Sequence, residues 1–487
     1  WIVRGIYNIY FHQLSGYPGP TLAAASDWWY ARSYTSGHWH DIIQSLHQKY
    51  GPVVRIAPND LSFSTPSSYK VIYGHATNGR KLFLKSEFYD LSHGRPDIVS
   101  ARDPAEHSVQ RRSLAHAFSA KSLREQEDIV QAYLDKFVEK MGELGGTEEG
   151  VNVTEAYNWL TFDIIGKSIC DLAFGESFEA VEKGESHFWV SLILGSFYIQ
   201  TLASIRKRIP LFSLLLPFFV PPSFPSKFQK HKALTLEKTR KRIAMGDTGR
   251  ADFFSRLLRT GKDKGAELDI QYLANQSNIL IVAGSETTAT FLAGATYFLL
   301  RNKPALAKLQ TELRSTFSEF SQITGDSVTP LPYLGAVIEE GLRLFPPAGF
   351  GLPRICPGAT IDGYYIPAGT TVSTDPFTMT RDPANWEQPD SFLPERWLPG
   401  GIGGGKSHDN KAASQPFSLG PRSCLGINLA RVEARLTLAK LAWKYEWDLA
   451  ESSKNLDWWR DMRIYTLWMK PELRVVFRNV DSGSKRL

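Results

Sequence analysis

The clearest candidate for chemistry in this chain is a lone cysteine in a glycine-rich turn. Residues 417–426 read FSLGPRSCLG, and Cys424 lies two residues after Arg422 at the start of a predicted helix. Helix N-terminal amides and a nearby cation stabilise a thiolate, and Gly420 and Gly426 let backbone amides approach the sulfur. Such a thiolate can serve as a nucleophile or as a metal ligand, whereas an ordinary lone cysteine is a small buried hydrophobic residue.

A polar cluster interrupts the middle of an apolar stretch over residues 279–300. The stretch has the length to cross a bilayer, but residues 283–288 within it read AGSETT and include the carboxylate of Glu286. A charge at the centre of a bilayer costs about 3 kcal/mol or more. We therefore predict a long helix over residues 269–301 that is buried in the middle of a large domain.

Taken together, the motifs of this chain resemble those of the cytochrome P450 family. Five residue types of the family's haem-binding signature are matched, by Phe417, Gly420, Arg422, Cys424 and Gly426. Residues 283–288 are similar to the oxygen-binding stretch of the family's central helix. Glu340 and Arg343, which alone would indicate only a solvated helix pair, match its Glu-x-x-Arg motif. The resemblance covers residues 17–477 and is greatest to fungal microsomal members of secondary metabolism, the trichothecene or isotrichodermin hydroxylase-like group.

The resemblance implies a haem b cofactor, iron protoporphyrin IX, with Cys424 as the axial thiolate, a ligand that favours O–O cleavage. Arg111, Arg422 and Arg354 are the implied charge-assisted partners of the haem propionates. His107 stands where many members have a tryptophan, and it is assigned to the same cofactor site. The remaining residues assigned to cofactor binding are Phe417, Gly420, Gly426, Ala283 and Gly284.

The central helix carries the residues to which the resemblance gives a catalytic role, Thr287 and Glu286. A threonine hydroxyl that bonds back to a carbonyl one turn earlier loosens a helix, and Gly284 permits close approach. The resulting groove would hold dioxygen and water while Glu286 and Thr287 relay protons. The alternative is a kinked core helix without this function.

Behind the haem, the resemblance implies a buried charge network formed by Glu340, Arg343 and Arg396. Removing one member of such a network leaves an unpaired buried charge, at a cost of several kcal/mol. A solvated surface pair would show no such cost.

Composition limits the fold and the function class. The 487 residues are 43% hydrophobic and 22% charged. Helical patterns dominate, among them residues 103–141, 154–174 and 252–259, and with a minor β region they predict a mainly α single catalytic domain over residues 17–478. Residues 479–487 form a tail. Three distant cysteines exclude a disulfide scaffold, and scattered basic residues at net charge +6 argue against nucleic-acid binding.

Residues 400–407, GGIGGGKS, have P-loop spacing but lack the flanking strand and helix, so we reject a nucleotide site.

Two segments indicate a membrane surface. Residues 1–16 are aromatic-rich and too short to span a bilayer, so we expect a membrane-proximal segment with an anchor upstream. Residues 211–225, LFSLLLPFFVPPSFP, hold four prolines and predict a dip into one leaflet. The resemblance implies the endoplasmic reticulum membrane with the catalytic domain facing the cytosol.

The resemblance also implies electrons from NADPH through a separate NADPH–cytochrome P450 reductase, with cytochrome b5 as an additional partner. The docking face would carry Arg431, Arg435 and Lys440.

The substrate expected from the resemblance is a hydrophobic small molecule. Its pocket is assigned to Phe350, Ala348, Leu352 and Ile279. Two alternatives stay open: an oxygen-independent haem-thiolate isomerase, dehydratase or reductase, and a haem-binding protein without turnover. The intact Glu286-Thr287 pair favours the monooxygenase.

Overall fold

Helices make up most of the fold, and they surround one long central helix. The computed structural model describes residues 2–77, 79–90, 95–166, 178–244 and 269–480. The α-helices in these ranges are α1 (Ile2–Tyr10), α2 (Thr21–Ala25), α3 (Asp27–Thr35), α4 (Trp39–Tyr50), α5 (Pro66–Tyr73), α6 (Pro104–Ala115), α7 (Ala120–Glu125), α8 (Glu127–Gly145), α9 (Val153–Ile164), α10 (Ala180–Lys183), α11 (Phe188–Arg208), α12 (Leu216–Phe219), α13 (Phe224–Ala244), α14 (Ile270–Arg301), α15 (Lys303–Thr316), α16 (Gly325–Val328), α17 (Pro332–Leu344), α18 (Pro376–Met379), α19 (Ile427–Lys444) and α20 (Trp458–Asp461).

The β structure is minor and divided among four small sheets. The strands are β1 (Val53–Ala57), β2 (Asp60–Phe63), β3 (Leu84–Lys85), β4 (Val151–Asn152), β5 (Arg354–Ile355), β6 (Ala359–Ile361), β7 (Tyr364–Ile366), β8 (Thr371–Thr374), β9 (Tyr445–Leu449), β10 (Arg463–Ile464), β11 (Trp468–Met469) and β12 (Arg474–Asn479). The largest sheet has the order β1-β2-β8-β5-β3, with β2 and β8 parallel, and β12 pairs with both β4 and β9. The predicted mainly α fold with a minor β region is confirmed.

The central helix α14 begins and ends where polar caps stop it. The carboxylate of Asp269 accepts the amide of Tyr272 at the N-terminus, and the chain leaves the helix at Asn302, which in turn caps α15. Every residue from Thr288 to Leu300 is buried, where the helix packs against α9, α17 and α19. This continuous burial is typical of a core helix.

Two helices, α11 and α14, are long and apolar enough to cross a membrane by length and composition alone. In α14, 72% of the apolar window is buried inside the fold, and in α11 half of it is. The predicted burial of the central helix is therefore seen directly.

Other predicted segments are divided differently. The helical pattern over residues 103–141 breaks into α6, α7 and α8, because the Ser119 side chain caps a new helix by accepting the amide of Ser122. The helix predicted over residues 154–174 ends its regular part at Ile164. Its last residues, and the helix predicted over residues 252–259, lie outside the described residues. The short helices α2 and α3 are an addition that the sequence patterns did not predict, whereas α1 lies in the segment predicted to be membrane-proximal.

The proline-rich apolar segment between α11 and α13 forms short turns at the surface. It consists of one 3-10 turn and the four-residue helix α12. Leu214 is 70% exposed and Phe218 is 84% exposed. The Phe212 ring contacts Trp28 of α3, and exposed apolar side chains of α1 and α3 continue on this N-terminal side of the fold, among them Ile2, Val3, Ile6, Tyr10 and Trp28.

Candidate active site

The cysteine turn is held in place by a close approach between two backbone segments. Gly420 has φ of +68°, and a Cβ there would lie 2.4 Å from the carbonyl oxygen of Tyr73, at the end of α5. Only glycine fits these two conditions. The amide of Cys424 donates to the carbonyl of Phe417 at 2.8 Å, which closes the loop before α19 begins. The side chain of Cys424 is exposed and opens onto a cavity inside the protein.

The protonation of this sulfur depends on two opposed effects. Burial raises the pKa of the Cys424 thiol above its usual value, while the amide of Gly426 and the charge of Arg111 lower it. Burial is the larger effect, so the turn alone does not produce the thiolate that the helix terminus and a cation suggested. A bound metal cation would displace the proton, since a coordinating thiol is deprotonated by its metal.

The cavity has a volume of about 330 Å³ and lies between the cysteine turn and α14. Ala283, Gly284 and Thr287 of α14 line it opposite Cys424. The hydroxyl of Thr287 donates to the carbonyl of Ala283 at 2.8 Å, which is the bond expected one turn earlier. A Cβ on Gly284 would lie 2.3 Å from the Ile165 side chain, so this glycine is needed for contact with the segment that follows α9.

Glu286, in contrast, is not among the residues that line the cavity. It is 2% exposed, its carboxylate is paired with the ammonium of Lys470, and it accepts a hydrogen bond from Thr290 at 3.1 Å. Lys470 also donates to the Thr290 hydroxyl at 2.8 Å. The structure therefore brings Thr287 to the cavity and holds its neighbour Glu286 in a buried ion pair.

One edge of the cavity is strongly basic. Lys85, Arg111, Arg422 and His107 line it. Burial and the nearby charge of Arg354 lower the pKa of Arg422 to about 10, and burial with Arg354 and Arg422 holds the pKa of Lys85 well below its usual value. Burial, followed by Arg422 and Lys85, lowers the pKa of His107 to about 3. Since neighbouring cations add to the effect of burial in each case, this edge of the cavity carries more positive than negative charge.

The four basic side chains assigned to the cofactor are placed at or beside this edge. Arg111 donates to the carbonyl and hydroxyl of Ser423 at 2.7 and 3.2 Å. Arg422 donates to two carbonyls before α6, at 2.5 and 3.0 Å. Arg354 donates to the Tyr89 hydroxyl at 2.9 Å and lines an adjoining cleft of about 390 Å³, which shares His107, Arg111 and Arg422 with the cavity.

These features fit a haem. An apolar space separates Cys424 from the helix that bears Thr287, and a Cβ on Gly426, which lines this space, would meet no atom within 4 Å. The basic edge supplies partners for two carboxylates. Cys424 would be the metal ligand, with Phe417, Ala283 and Gly284 against the ring faces. Gly420 acts one step away, since it holds the turn against α5 and does not line the cavity.

Behind this site, the three predicted network residues are brought together with no exposed side-chain surface. Glu340 binds Arg343 through two bonds of 2.8 Å and Arg396 through one of 3.0 Å. The indole of Trp397 also donates to Glu340, at 2.9 Å. Arg396 extends the network to Asp409 at 2.5 Å. The carboxylate of Glu340 thus has cations and N–H donors on both oxygens.

The predicted substrate residues separate into two groups. Ile279, Ala348 and Leu352 line the cavity. Phe350 does not, because its buried ring turns toward Phe88, 5.6 Å away between centroids, and it lines a separate small space. The conformation described therefore does not bring Phe350 to this cavity.

Sequence reasoning missed four charged residues of this region. Lys85 reaches the basic edge from the edge strand β3. Lys470 is 184 positions from its partner Glu286, and Asp409 is 13 positions from its partner Arg396. A signal existed only for Glu433, which lies on α19, the helix that begins just after Cys424. The other three depend on long-range pairing of strands and loops that no local pattern gives.

The chain was compared with known proteins. The family model "Cytochrome P450" matches residues 21–474. The chain is 44% identical to "Cytochrome P450 monooxygenase BOA3" of Botryotinia fuckeliana, over 98% of this chain and 93% of that protein. It is 38% identical to the trichothecene C-15 hydroxylase of Fusarium sporotrichioides, over 97% and 95%. Among solved structures, the cytochrome P450DA heme domain matches with a TM-score of 0.72 over 92% of this chain and 93% of that one, at 19% identity, which supports the fold.

Proposed function

Because the chain belongs to the cytochrome P450 family, we propose that it is a haem-thiolate monooxygenase that inserts one atom of dioxygen into a hydrophobic small molecule. One observation carries the proposal. Cys424 faces Thr287 across an apolar cavity whose rim holds Lys85, Arg111 and Arg422. A metal ligand, an oxygen-side hydroxyl and partners for two propionates are thereby combined around one space.

The haem would supply the oxygen chemistry, and the chain supplies the environment. Cys424 would be the residue that holds the iron, and the amide of Gly426, which hydrogen-bonds the sulfur, would moderate its donor strength. Thr287 presents its hydroxyl to the cavity and can hold a water there. Glu286 supplies protons only after its carboxylate loosens from Lys470, because in the ion pair its oxygens do not reach the cavity.

The basic edge orients the cofactor. Arg111, Arg354 and Arg422 are charged at neutral pH, and they would hold the propionates as charge-assisted donors. His107 is uncharged at neutral pH, since its pKa is about 3. It therefore contributes one neutral N–H at the position where many family members have an indole N–H.

The redox partner that we propose is an NADPH–cytochrome P450 reductase, with cytochrome b5 as an additional partner. The cleft next to the cysteine turn is lined by His75, Arg80 and Lys81 together with Arg111 and Arg422, and none of the described residues that line it is acidic. It suits an acidic protein surface. Lys440, in contrast, is not on a docking face, because it is 2% exposed and paired with Asp135.

Arg431 is also paired, with Glu339 at 2.7 Å, and Arg435 is only partly exposed. The positive charge of the docking face thus comes from the segment after α5 more than from α19.

The proposed location is the endoplasmic reticulum membrane, with the catalytic domain on the cytosolic side. The apolar face made by α1 and the segment around α12, defined here as the membrane face, exposes Ile2, Tyr10, Leu214 and Phe218. Such a face is unusual for a free surface and fits insertion into one leaflet.

The substrate class that we propose is a hydrophobic product of fungal secondary metabolism. The apolar walls of the cavity, which include Ile279, Ala348, Leu352 and Phe118, select for apolar surface. The name of one relative, a trichothecene C-15 hydroxylase, is consistent with attack on an unactivated C–H bond of a terpenoid.

An oxygen-labelling experiment distinguishes this proposal from its alternatives. Holoprotein, reductase and NADPH are incubated under isotopically labelled dioxygen with hydrophobic terpenoids and polyketides that shift the haem spin state. The proposal predicts a product that carries one labelled oxygen atom and is formed with consumption of NADPH. An unlabelled, isomerised or dehydrated product formed without NADPH would establish the oxygen-independent class, and spectral binding without any product across the panel would favour a haem-binding protein without turnover.

A further inference from the structure

One buried carboxyl group of the cavity is paired with nothing. Glu433 on α19 is 1% exposed and lines the cavity. Neither of its carboxyl oxygens has a hydrogen-bond partner within the residues that the structure describes. Other buried carboxylates of the core are treated differently, since Glu286 is paired with Lys470 and Glu340 with Arg343.

The elements packed on α19 offer no cation to this group. On α14, the neighbouring polar group is the hydroxyl of Thr288, which also lines the cavity. Several cations of α19 and of the elements that contact it form ion pairs with other residues, Arg431–Glu339, Lys440–Asp135, Arg314–Glu446 and Arg124–Asp326, and none of the ion pairs found among the described residues includes Glu433.

An ionised carboxylate in such a place is strongly disfavoured. Removal from water penalises the charged form by several kcal/mol unless a cation or N–H donors replace the solvent. A protonated carboxyl avoids most of that penalty and gains a donor. The carboxylic O–H of Glu433 can donate to the hydroxyl oxygen of Thr288. Thr288 is adjacent in sequence to the cavity-facing Thr287.

We propose that Glu433 is held as the uncharged acid and, through Thr288, ties the cysteine-bearing helix α19 to the oxygen-side helix α14 at the edge of the haem site. The part of this inference that concerns the haem site rests on the proposed function. The uncharged state of the carboxyl group does not depend on it. Glu433 is a positioning residue, and its neutrality keeps a second negative charge away from the sulfur ligand. Burial raises the pKa of Glu433 to about 8, and the neighbouring hydroxyl of Thr288 opposes that rise.

The pH dependence of stability tests the uncharged state. A carboxyl with a raised folded-state pKa contributes stability that is complete below the unfolded pKa, near 4.5, and that is lost as pH rises to the folded value near 8. Glutamine is neutral at every pH and has the same shape. The melting temperature of Glu433→Gln, relative to wild type, should therefore rise by about 1 °C per pH unit between pH 5 and pH 8.

The control is Glu451→Gln, which changes an exposed carboxylate on a surface turn and should track wild type at all pH values. Circular dichroism can follow unfolding with or without haem, so this arm does not depend on the proposed function. A melting difference between Glu433→Gln and wild type that does not change with pH would overturn the uncharged state. If Glu433→Gln fails to fold, Glu433→Leu provides the same comparison with a neutral apolar side chain.

The haem spectrum tests the position of the group. In the holoprotein, ionisation near pH 8 should shift the Soret band of wild type and of Glu451→Gln, while Glu433→Gln keeps one band position from pH 6 to pH 9. Identical pH titrations in all three proteins would overturn the placement at the haem site, even if the melting result holds. Failure of the proposed function would look different, because all three proteins would then lack a thiolate-type haem spectrum.

Discussion

Lys470 and Glu286 form an ion pair in the interior, between the segment after β11 and the middle of α14. The two residues are 184 positions apart in sequence, their side chains are 2% and 3% exposed, and the hydroxyl of Thr290 bonds to both. The pair fixes the acidic residue next to the cavity-facing Thr287. It also means that the charge of Glu286 is compensated before any substrate arrives.

Breaking this pair should cost stability in a characteristic pattern. Glu286→Gln or Lys470→Met alone leaves one buried charge without its partner, and each should lower the free energy of unfolding by about 3–5 kcal/mol. The double variant removes both charges and should recover most of that loss. Thermal or urea unfolding measures the cycle, with the exposed pair Glu451 and Lys454 as control. Single variants no worse than that control would mean that the pair is not formed in solution.

The buried network of Glu340 should be needed for folding and haem retention. Glu340→Ala strands the guanidinium groups of Arg343 and Arg396, and Arg343→Ala strands the carboxylate, so each should reduce soluble, haem-loaded protein severely. Glu237→Ala, in an exposed pair with Lys241, should behave as wild type. The ratio of Soret to protein absorbance after purification measures the effect. Normal haem loading and melting in Glu340→Ala would contradict the buried network.

The membrane face should bind lipid through the segment around α12. Replacing Leu214 and Phe218 with serine removes two of its most exposed apolar side chains and should lower flotation with liposomes several-fold, because membrane binding scales with buried apolar area. Tyr365→Ser, an equally exposed change at the β6–β7 hairpin, is the control and should float as wild type does. Equal flotation of the double-serine variant and the control would remove the segment from the membrane contact.

Thr287 should control coupling between electron consumption and product. Thr287→Ala removes the cavity-facing hydroxyl but leaves Cys424 and the basic edge intact. We expect normal haem content, near-normal NADPH oxidation, and product per NADPH lower by about tenfold or more, with the electrons appearing as hydrogen peroxide. Ser285→Ala removes the same type of bond to a carbonyl one turn earlier outside the cavity lining and should stay coupled. Unchanged coupling in Thr287→Ala would mean that the hydroxyl has no part in proton delivery.

Much of the fold follows from local sequence signals. The bounds of α14 were predicted to within one residue because an Asp cap and an Asn cap flank an unbroken apolar pattern. The cysteine turn was equally readable from its motif, and the positive φ of Gly420 is a local backbone reason for glycine at that position. The short helices α2 and α3 were missed because they are too brief to show a periodic pattern.

The parts of the site that could not be predicted depend on distant partners. Nothing near Lys470 indicates that its ammonium meets Glu286, and nothing near Lys85 indicates that pairing of β3 with β5 brings it to the basic edge. Phe350 is the reverse case, a residue that the sequence suggested for the cavity but that the described conformation places elsewhere. Its position after α17 suggested the cavity, but packing against Phe88 turns the ring away.

The central claim is that Cys424 holds a haem iron as a thiolate, and the carbon monoxide complex of the reduced holoprotein tests it most directly. Wild type and Cys356→Ser, which changes a buried cysteine in another core cluster, should both give the strongly red-shifted Soret band of a thiolate-ligated ferrous–carbonyl haem. Cys424→Ser should bind less haem and lose that band, because a hydroxyl stays protonated and ligates poorly. A red-shifted band that survives in Cys424→Ser, or one that disappears in Cys356→Ser alone, would contradict the assignment.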